Sequence, residues 1–473
     1  MSYVHYDRLS ALDATFLAIE TPNVHMHVGS VQLFQGEPLR AADGSLDFER
    51  IRGLSEPALR RSGRFRQRLE RIPGFGHPVW VDDARFNLDY HLRHTSLPEP
   101  GDTRQLKRLA GRIFSQKLDP HRPLWEMWIV EGLEDGRFAV ITKIHHCMID
   151  GISGADLMAG FMQGSAEERV ATPSVRWVPR PSPSGAQLLT GELRRRASLP
   201  GKVIGAGLSA LREPLHAVDR ARRAVESMAA ALSHGLGSAS ATPLNDAVGP
   251  YRRFDWTRME LSAVKQVKDR LGGTVNDVVL AVVSGAMREF LGRRSVSVEG
   301  IDFRAMLPVN IRGEDQHGKL GNRVAFLMAR LPLQEKDPRS RLRCVIETTQ
   351  ELKASSTVAG GELIEEISDW TTGALFAGFS RLTARTRSYN MVVTNVPGPQ
   401  FPVYLAGARM DETYPLVPLF SNQALGIALF SYNGTLFWGF NADWDAVPDL
   451  HDLVLLVHQE FEALCKLREE GEK

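Results

Sequence analysis

Two adjacent histidines, His145 and His146, are followed at a spacing of four by Asp150 and then by Gly151. Imidazole has an ordinary pKa close to working pH, so it can take a hydroxyl proton as the oxygen attacks an acyl carbon. Moving an acyl group from a thioester to an alcohol needs such a base. The preceding run, Phe138 to Ile144, reads as a strand with Phe138, Val140, Thr142 and Ile144 on one face and Ala139, Ile141 and Lys143 on the other. Continued alternation sends His145 and His146 to opposite sides, so only one of them can face a given reaction centre. Ser153, with Asp156 three residues on, predicts a helix start just beyond. The motif is therefore a strand, a tight turn and a helix start. Asp150 either orients the ring or holds the turn through a separate ion pair, and Gly151 permits a backbone path that a side chain obstructs.

Other chemistries fit these residues poorly. Only His146 and Asp150 could share a metal, whereas zinc takes three or four ligands. Cys147 would need an activating base and exposure to act as a nucleophile, and Met148 and Ile149 beside it predict a packed thiol. His25, His27 and His451 read as ordinary surface or core histidines. Neither a metal nor any other cofactor is expected.

The elements that must position this motif can be read along the chain. His25 to Phe34 reads as a strand. Pro179, Pro181 and Pro183 alternate and predict an extended linker, followed by an arginine-rich helical stretch to about His234 and a break at Gly237 to Pro243. Thr274 caps a helix with Asp277 three residues later, and Val275, Val278, Val279, Val282, Ala286 and Phe290 form its apolar stripe. Asn433-Gly434 between two strand-like runs is a hairpin signal, and Leu450, Leu453, Val457, Phe461 and Leu464 mark a C-terminal amphipathic helix. The expected architecture is mixed α/β (α+β) in two domains, residues 1–177 and 246–473, joined by a linker over 178–245.

Composition narrows the function classes. The 473 residues exceed a single compact core, and 57 basic against 56 acidic residues leave no bulk charge for nucleic acid. Three scattered cysteines fit a reducing cytoplasm and exclude a disulfide scaffold. Met1 to Arg8 lacks the basic and apolar regions of a signal peptide, and no apolar run approaches the ~20 residues of a spanning helix. Work on lipids would then proceed from a membrane surface.

His145 to Gly151 matches the HHxxxDG signature of the chloramphenicol-acetyltransferase-like superfamily. The rest of the chain resembles the bacterial wax ester synthase/diacylglycerol acyltransferase family. The matching blocks are Leu12 to Glu20, Met26 to Gly29, Pro123-Leu124-Trp125, Asn245 through Arg252-Arg253-Phe254, Asn276-Asp277, Pro308 to Arg312, Gly321-Asn322 and Thr394 to Pro399. The resemblance implies two chloramphenicol-acetyltransferase-like domains with a crossover between them and a tunnel at their interface. It implies acyl-CoA and a lipid alcohol or diacylglycerol as substrates, meeting at His146 as general base in a ternary complex. Asp150 would be structural and His145 supportive. Asn276 either offers its amide to a developing oxyanion or is simply a helix-start residue. Glu20 is either a residue close to the site or a solvated carboxylate, and Pro123-Leu124-Trp125 would pack around the acyl channel. Rival readings are a same-fold acyltransferase with a carrier-bound or glycolipid acceptor, and a non-catalytic lipid carrier.

Eight basic residues against two acidic ones fall between Leu193 and Arg223, beside Ile204, Leu208, Leu211, Leu215 and Val218 at helical spacing. That segment reads either as a helix lying on an anionic membrane or lipid inclusion, or as an interdomain helix packed on the protein. In the second case its arginines are merely solvated or hold CoA phosphates.

Overall fold

The computed structural model describes residues 6–61, 63–148, 161–167, 177–197, 238–310, 324–354 and 387–470. Asp150, Gly151, the helix start at Ser153, Gly321, Asn322 and most of the 193–223 segment lie outside the described residues.

The first part of the chain supplies β1 (Asp7–Arg8), β2 (His27–Phe34), β3 (Gln67–Arg71), β4 (Pro78–Asp82), β5 (Leu92–Ser96), β6 (Trp125–Glu131) and β7 (Phe138–His145). Its helices are α1 (Ala11–Ile19), α2 (Phe48–Arg61), α3 (Leu88–His91) and α4 (Thr103–Ser115). The later part supplies β8 (Arg252–Glu260), β9 (Phe303–Asn310), β10 (Val324–Leu331), β11 (Met391–Pro397), β12 (Tyr404–Leu405), β13 (Ala408–Leu416), β14 (Leu425–Tyr432) and β15 (Thr435–Asp443). With them come α5 (Leu261–Leu271), α6 (Val275–Arg293), α7 (Pro338–Ala354) and α8 (Leu450–Glu470).

Two mixed six-stranded sheets result, in the orders β12-β13-β2-β7-β6-β5 and β10-β9-β11-β14-β15-β8, and β1-β4-β3 form a small third sheet. Strand β7 lies inside the first sheet, antiparallel to β2 on one side and β6 on the other. All eight of its residues are buried, so both faces are covered and the expected alternation does not divide them into inner and outer. Lys143 is thereby taken fully out of water. Its ammonium donates to the carbonyls of Ile113 and Gln116 at 3.0 Å each, with the Glu126 carboxylate 3.3 Å away. Those carbonyls end α4, where the helix dipole favours a cation. Helix α4 itself starts at a capping box of Asp102 and Gln105 and buries Leu106, Ala110, Ile113 and Phe114.

Several local signals are realised as the sequence indicates. The Thr274–Asp277 capping box opens α6, the 178–184 segment has no regular structure, and α8 carries the C-terminal stripe. Asn433 and Gly434 take φ of 44° and 80°, the left-handed pair that a two-residue hairpin requires, and join β14 to β15.

The domain boundaries need one correction. Residues 246–473 are not one unit, because β12 and β13 join the first sheet, where β13 pairs antiparallel with β2 from Leu416↔Gly29 to Met410↔Phe34. A glycine permits the exchange. A Cβ at Gly439 of β15 would fall 1.7 Å from the Pro415 carbonyl oxygen, so only bare backbone lets β13 pass this close to the second sheet. Tyr414 of β13 then stacks on Trp256 of β8, ring centroids 4.8 Å apart. No helix among the described residues is long and apolar enough to cross a membrane.

Candidate active site

Strand β7 stops at His145, and His146 to Met148 form one 3-10 turn. The two rings are therefore separated by a turn rather than by strand alternation. The His145 N–H donates to the Leu124 carbonyl at 2.9 Å and the His146 N–H to the Met26 carbonyl at 2.7 Å. Backbone from two neighbouring segments thus fixes where each imidazole begins.

His145 is buried, and its Nδ1 accepts the Cys147 N–H at 3.1 Å. Nδ1 is therefore unprotonated, and the ring proton sits on Nε2. Nε2 lies 3.3 Å from Glu20 Oε1, close enough for attraction but not aligned as a hydrogen bond. Glu20 is the residue that ends α1, and its side chain is 8% exposed. It accepts the Met26 N–H at 3.1 Å and lies 3.0 Å from the Lys117 ammonium. Burial pushes its carboxyl pKa up, but His145 and Lys117 outweigh that and hold it at about 2. The solvated-carboxylate reading of Glu20 is thereby excluded.

His146 is half-buried, and Phe16 of α1 lies against its ring at a centroid distance of 3.9 Å. Burial lowers its pKa from 6.5 to about 4. It is neutral at physiological pH, as a general base must be. The Leu12–Glu20 block thus touches both histidines, Phe16 reaching one ring and Glu20 the other. Cys147 is packed as the sequence indicates, and burial pushes its thiol well above the ordinary range. A thiol so disposed is inert.

Pro123-Leu124-Trp125 leads into β6, all three residues buried. The Trp125 indole N–H donates to the Phe65 carbonyl at 2.9 Å, and its ring stacks on His91 with centroids 4.7 Å apart. This segment supports the histidines through the Leu124 carbonyl and through β6–β7 pairing.

Asn276 is exposed in the first turn of α6, and its Oδ1 accepts from Asn395 Nδ2 at 2.7 Å. Its contact is with the end of β11, not with His145 or His146. Asp277 is buried and structural: it accepts from Thr274 at both N and Oγ1, and from Thr349 Oγ1 at 2.7 Å.

Sequence reasoning passed over several neighbours. His25 and His27 are buried, with centroids of 5.3 Å between them and 5.9 Å from His27 to His145. Their spacing of two in a strand pattern was the available signal. Nothing in the sequence marked Lys117, and Lys143 and Phe16, though inside runs read above, were given no part at the histidines. Among the described residues no three His, Cys, Asp or Glu side chains group as metal ligands. Of the arginine-rich segment, Arg195 and Arg196 lie on a helix over 185–197 and pair with the buried Glu192 at 2.9 and 2.8 Å.

The profile of the wax ester synthase/diacylglycerol acyltransferase catalytic domain matches residues 9–279, and that of the WS/DGAT C-terminal domain matches residues 320–465. The chain belongs to this family of acyltransferases. It is similar to a putative diacylglycerol O-acyltransferase of Mycobacterium tuberculosis, 32% identical over 94% of this chain and 87% of the relative. A probable diacylglycerol O-acyltransferase of the same species is 31% identical over 94% of this chain and 93% of its own. Among solved structures, the wax ester synthase/diacylglycerol acyltransferase from Marinobacter aquaeolei VT8 superposes with a TM-score of 0.67 at 25% identity, over 98% of this chain and all of that one (100%). The first condensation domain of the calcium-dependent antibiotic synthetase shares the fold alone, with a TM-score of 0.57 at 17% identity over 99% and 97% of the two chains. This acyltransferase family accounts for both the HHxxxDG motif and the paired sheets. The first matched profile also runs across the 178–245 linker.

Proposed function

We propose that the enzyme moves a long-chain acyl group from acyl-CoA to a lipid hydroxyl, of a fatty alcohol or a diacylglycerol, with His146 as general base. The observation that carries this reading is a neutral, half-buried imidazole next to a second one whose tautomer is set by the Cys147 N–H. His146 takes the hydroxyl proton as the oxygen bonds to the thioester carbon; the C–S bond then breaks, and the imidazolium returns that proton to the CoA thiolate. Proton and leaving group balance within the two substrates, and no cofactor is invoked. The Asn395 contact fixes the Asn276 amide through its oxygen, which leaves the Nδ2 hydrogens as donors for a developing oxyanion. Asp150 and Gly151 would hold the turn beyond His146.

The acceptors concentrate at membrane and inclusion surfaces, so the enzyme would meet them peripherally from the cytoplasmic side. Exposed Tyr251, Trp444 and Phe401 are side chains suited to that boundary. Incubating the purified chain with palmitoyl-CoA and either hexadecanol or a diacylglycerol should release free thiol in step with ester formed. Thiol release without ester product, or none with either acceptor, would refute the assignment.

Transfer should be direct, without an acyl-enzyme, because the only thiol at the histidines is buried and protonated. Cys147→Ser, which keeps the backbone N–H, should retain most thiol release. Intact mass after exposure to palmitoyl-CoA alone should show no added acyl group. A stoichiometric adduct that alcohol discharges would overturn direct transfer.

A further inference from the structure

The turn after α4 carries several ties to the histidines at once. Lys117 lies 3.0 Å from Glu20, and the neighbouring Leu118 N–H points at His27 Nε2 at 3.5 Å. The same turn is anchored from beneath, where the buried Lys143 ammonium binds the Ile113 and Gln116 carbonyls, and Ser115 Oγ accepts the N–H of Arg252 at 2.8 Å. Lys117 is therefore held at the carboxylate by backbone on both sides of it, although its own side chain is 45% exposed. We propose that Lys117 is a positioning residue whose charge neutralises Glu20, keeps His145 in its neutral tautomer and so holds the turn that presents His146. This rests on the reading of His146 as the base.

The argument is one of charge placement. Glu20 is faced by His145 from β7, by Lys117 from the turn after α4, by the Met26 N–H at the start of β2 and, at longer range, by His25. His145 is faced by Glu20 and by His27 across the β2–β7 pair, with Lys143 two residues earlier on its own strand. The guanidinium of Arg252 reaches the Asn23 carbonyl from the second half of the chain and bears on His25. Lys117 is the cation in direct contact with Glu20. Without it, a buried carboxylate recruits its counter-charge by protonating the imidazole beside it. A proton on His145 Nδ1 would face the Cys147 N–H, donor against donor, and that bond holds the turn of His146. The relocated positive charge would also stand next to His146 and oppose its protonation in the reaction.

The test is the pH dependence of kcat and of KM for palmitoyl-CoA in the full-length chain, for wild type, Lys117→Met and Lys117→Arg. In Lys117→Met the acid limb of kcat should move to higher pH, because the unbalanced Glu20 carboxylate favours a proton on the group beside it. Its activity should recover toward alkaline pH, and Lys117→Arg should restore the wild-type limb. A fall in kcat equal at every pH would overturn the proposal in favour of a packing role. So would a raised KM for palmitoyl-CoA with an unmoved limb, which marks a contact to CoA phosphates. His146→Ala, assayed alongside, separates the two levels: full activity in that variant removes the reading of the base itself, whatever Lys117 does.

Discussion

His146→Ala should lower thiol release from palmitoyl-CoA by about 10²–10⁴-fold, the usual cost of removing a general base, while His145→Ala keeps a measurable fraction. The inequality follows from what each ring touches. His146 is half-buried on the turn, with Phe16 against it and a neutral ring to accept a proton. His145 is enclosed, with Nδ1 occupied by the Cys147 N–H and Nε2 turned to Glu20, so neither nitrogen is free to meet a substrate. Truncating His145 leaves the Cys147 N–H and Glu20 without that partner and loosens the turn, but Lys117 still balances the carboxylate. The His145→Ala defect should therefore fall on the geometry of His146, and thermal unfolding measured in parallel should show the chain still folded. Equal and mild losses in the two variants would sink the assignment.

The parts of this site legible in the sequence are those set by near neighbours. The histidine pair, the packed Cys147, the Thr274–Asp277 cap and the Asn433-Gly434 hairpin each depend on residues within a few positions, so spacing carries them. Position along the chain could not say that β13 would pair with β2 in the first sheet, or that bare backbone at Gly439 would let it pass so close to β15. The alternation drawn for β7 says which side chains share a face but not what covers it, and here both faces are covered. It also hid Lys143, which pattern alone would place on a wet face and which instead caps α4 from inside. Glu20 was recognisable by resemblance to a known block, yet its partner Lys117 lies 97 residues away by number and has no motif of its own. Asn276 shows the same limit, because its amide is oriented by Asn395 of β11, 119 residues further on.

Acid should unfold this protein well before it protonates His146 in the folded state. Burial, the first cause in each case, lowers the pKa of His25 and His91 from 6.5 to about 4 and that of His27 further still. A base whose folded pKa lies below its unfolded one makes the unfolded chain bind more protons between the two values. The stability these rings contribute is therefore complete above about pH 6.5 and falls as pH drops toward their folded values. Each pH unit well inside that window costs about 1.4 kcal/mol per ring, so His25 and His91 alone lose roughly 3 kcal/mol between pH 6.5 and 5, a sizeable part of the roughly 5–15 kcal/mol typical of a domain. Glu20 does not offset the loss, since its carboxyl stays ionised down to about 2. The denaturant midpoint should accordingly fall steeply from about pH 7 to 5. His91→Phe should flatten part of that slope, because phenylalanine keeps the stack between Trp125 and Phe86, at 4.7 and 5.2 Å, and has no proton to take up. The substitution forfeits the 2.8 Å bond from Nδ1 to the Trp125 carbonyl and so lowers the midpoint at every pH. A midpoint that does not move over this range would show that these rings titrate as in water. The same measurement bears on the base: wild-type activity lost below about pH 6 should track unfolding by circular dichroism. A limb that Lys117→Met raises above that range, with the chain still folded, can only report charge at the histidines.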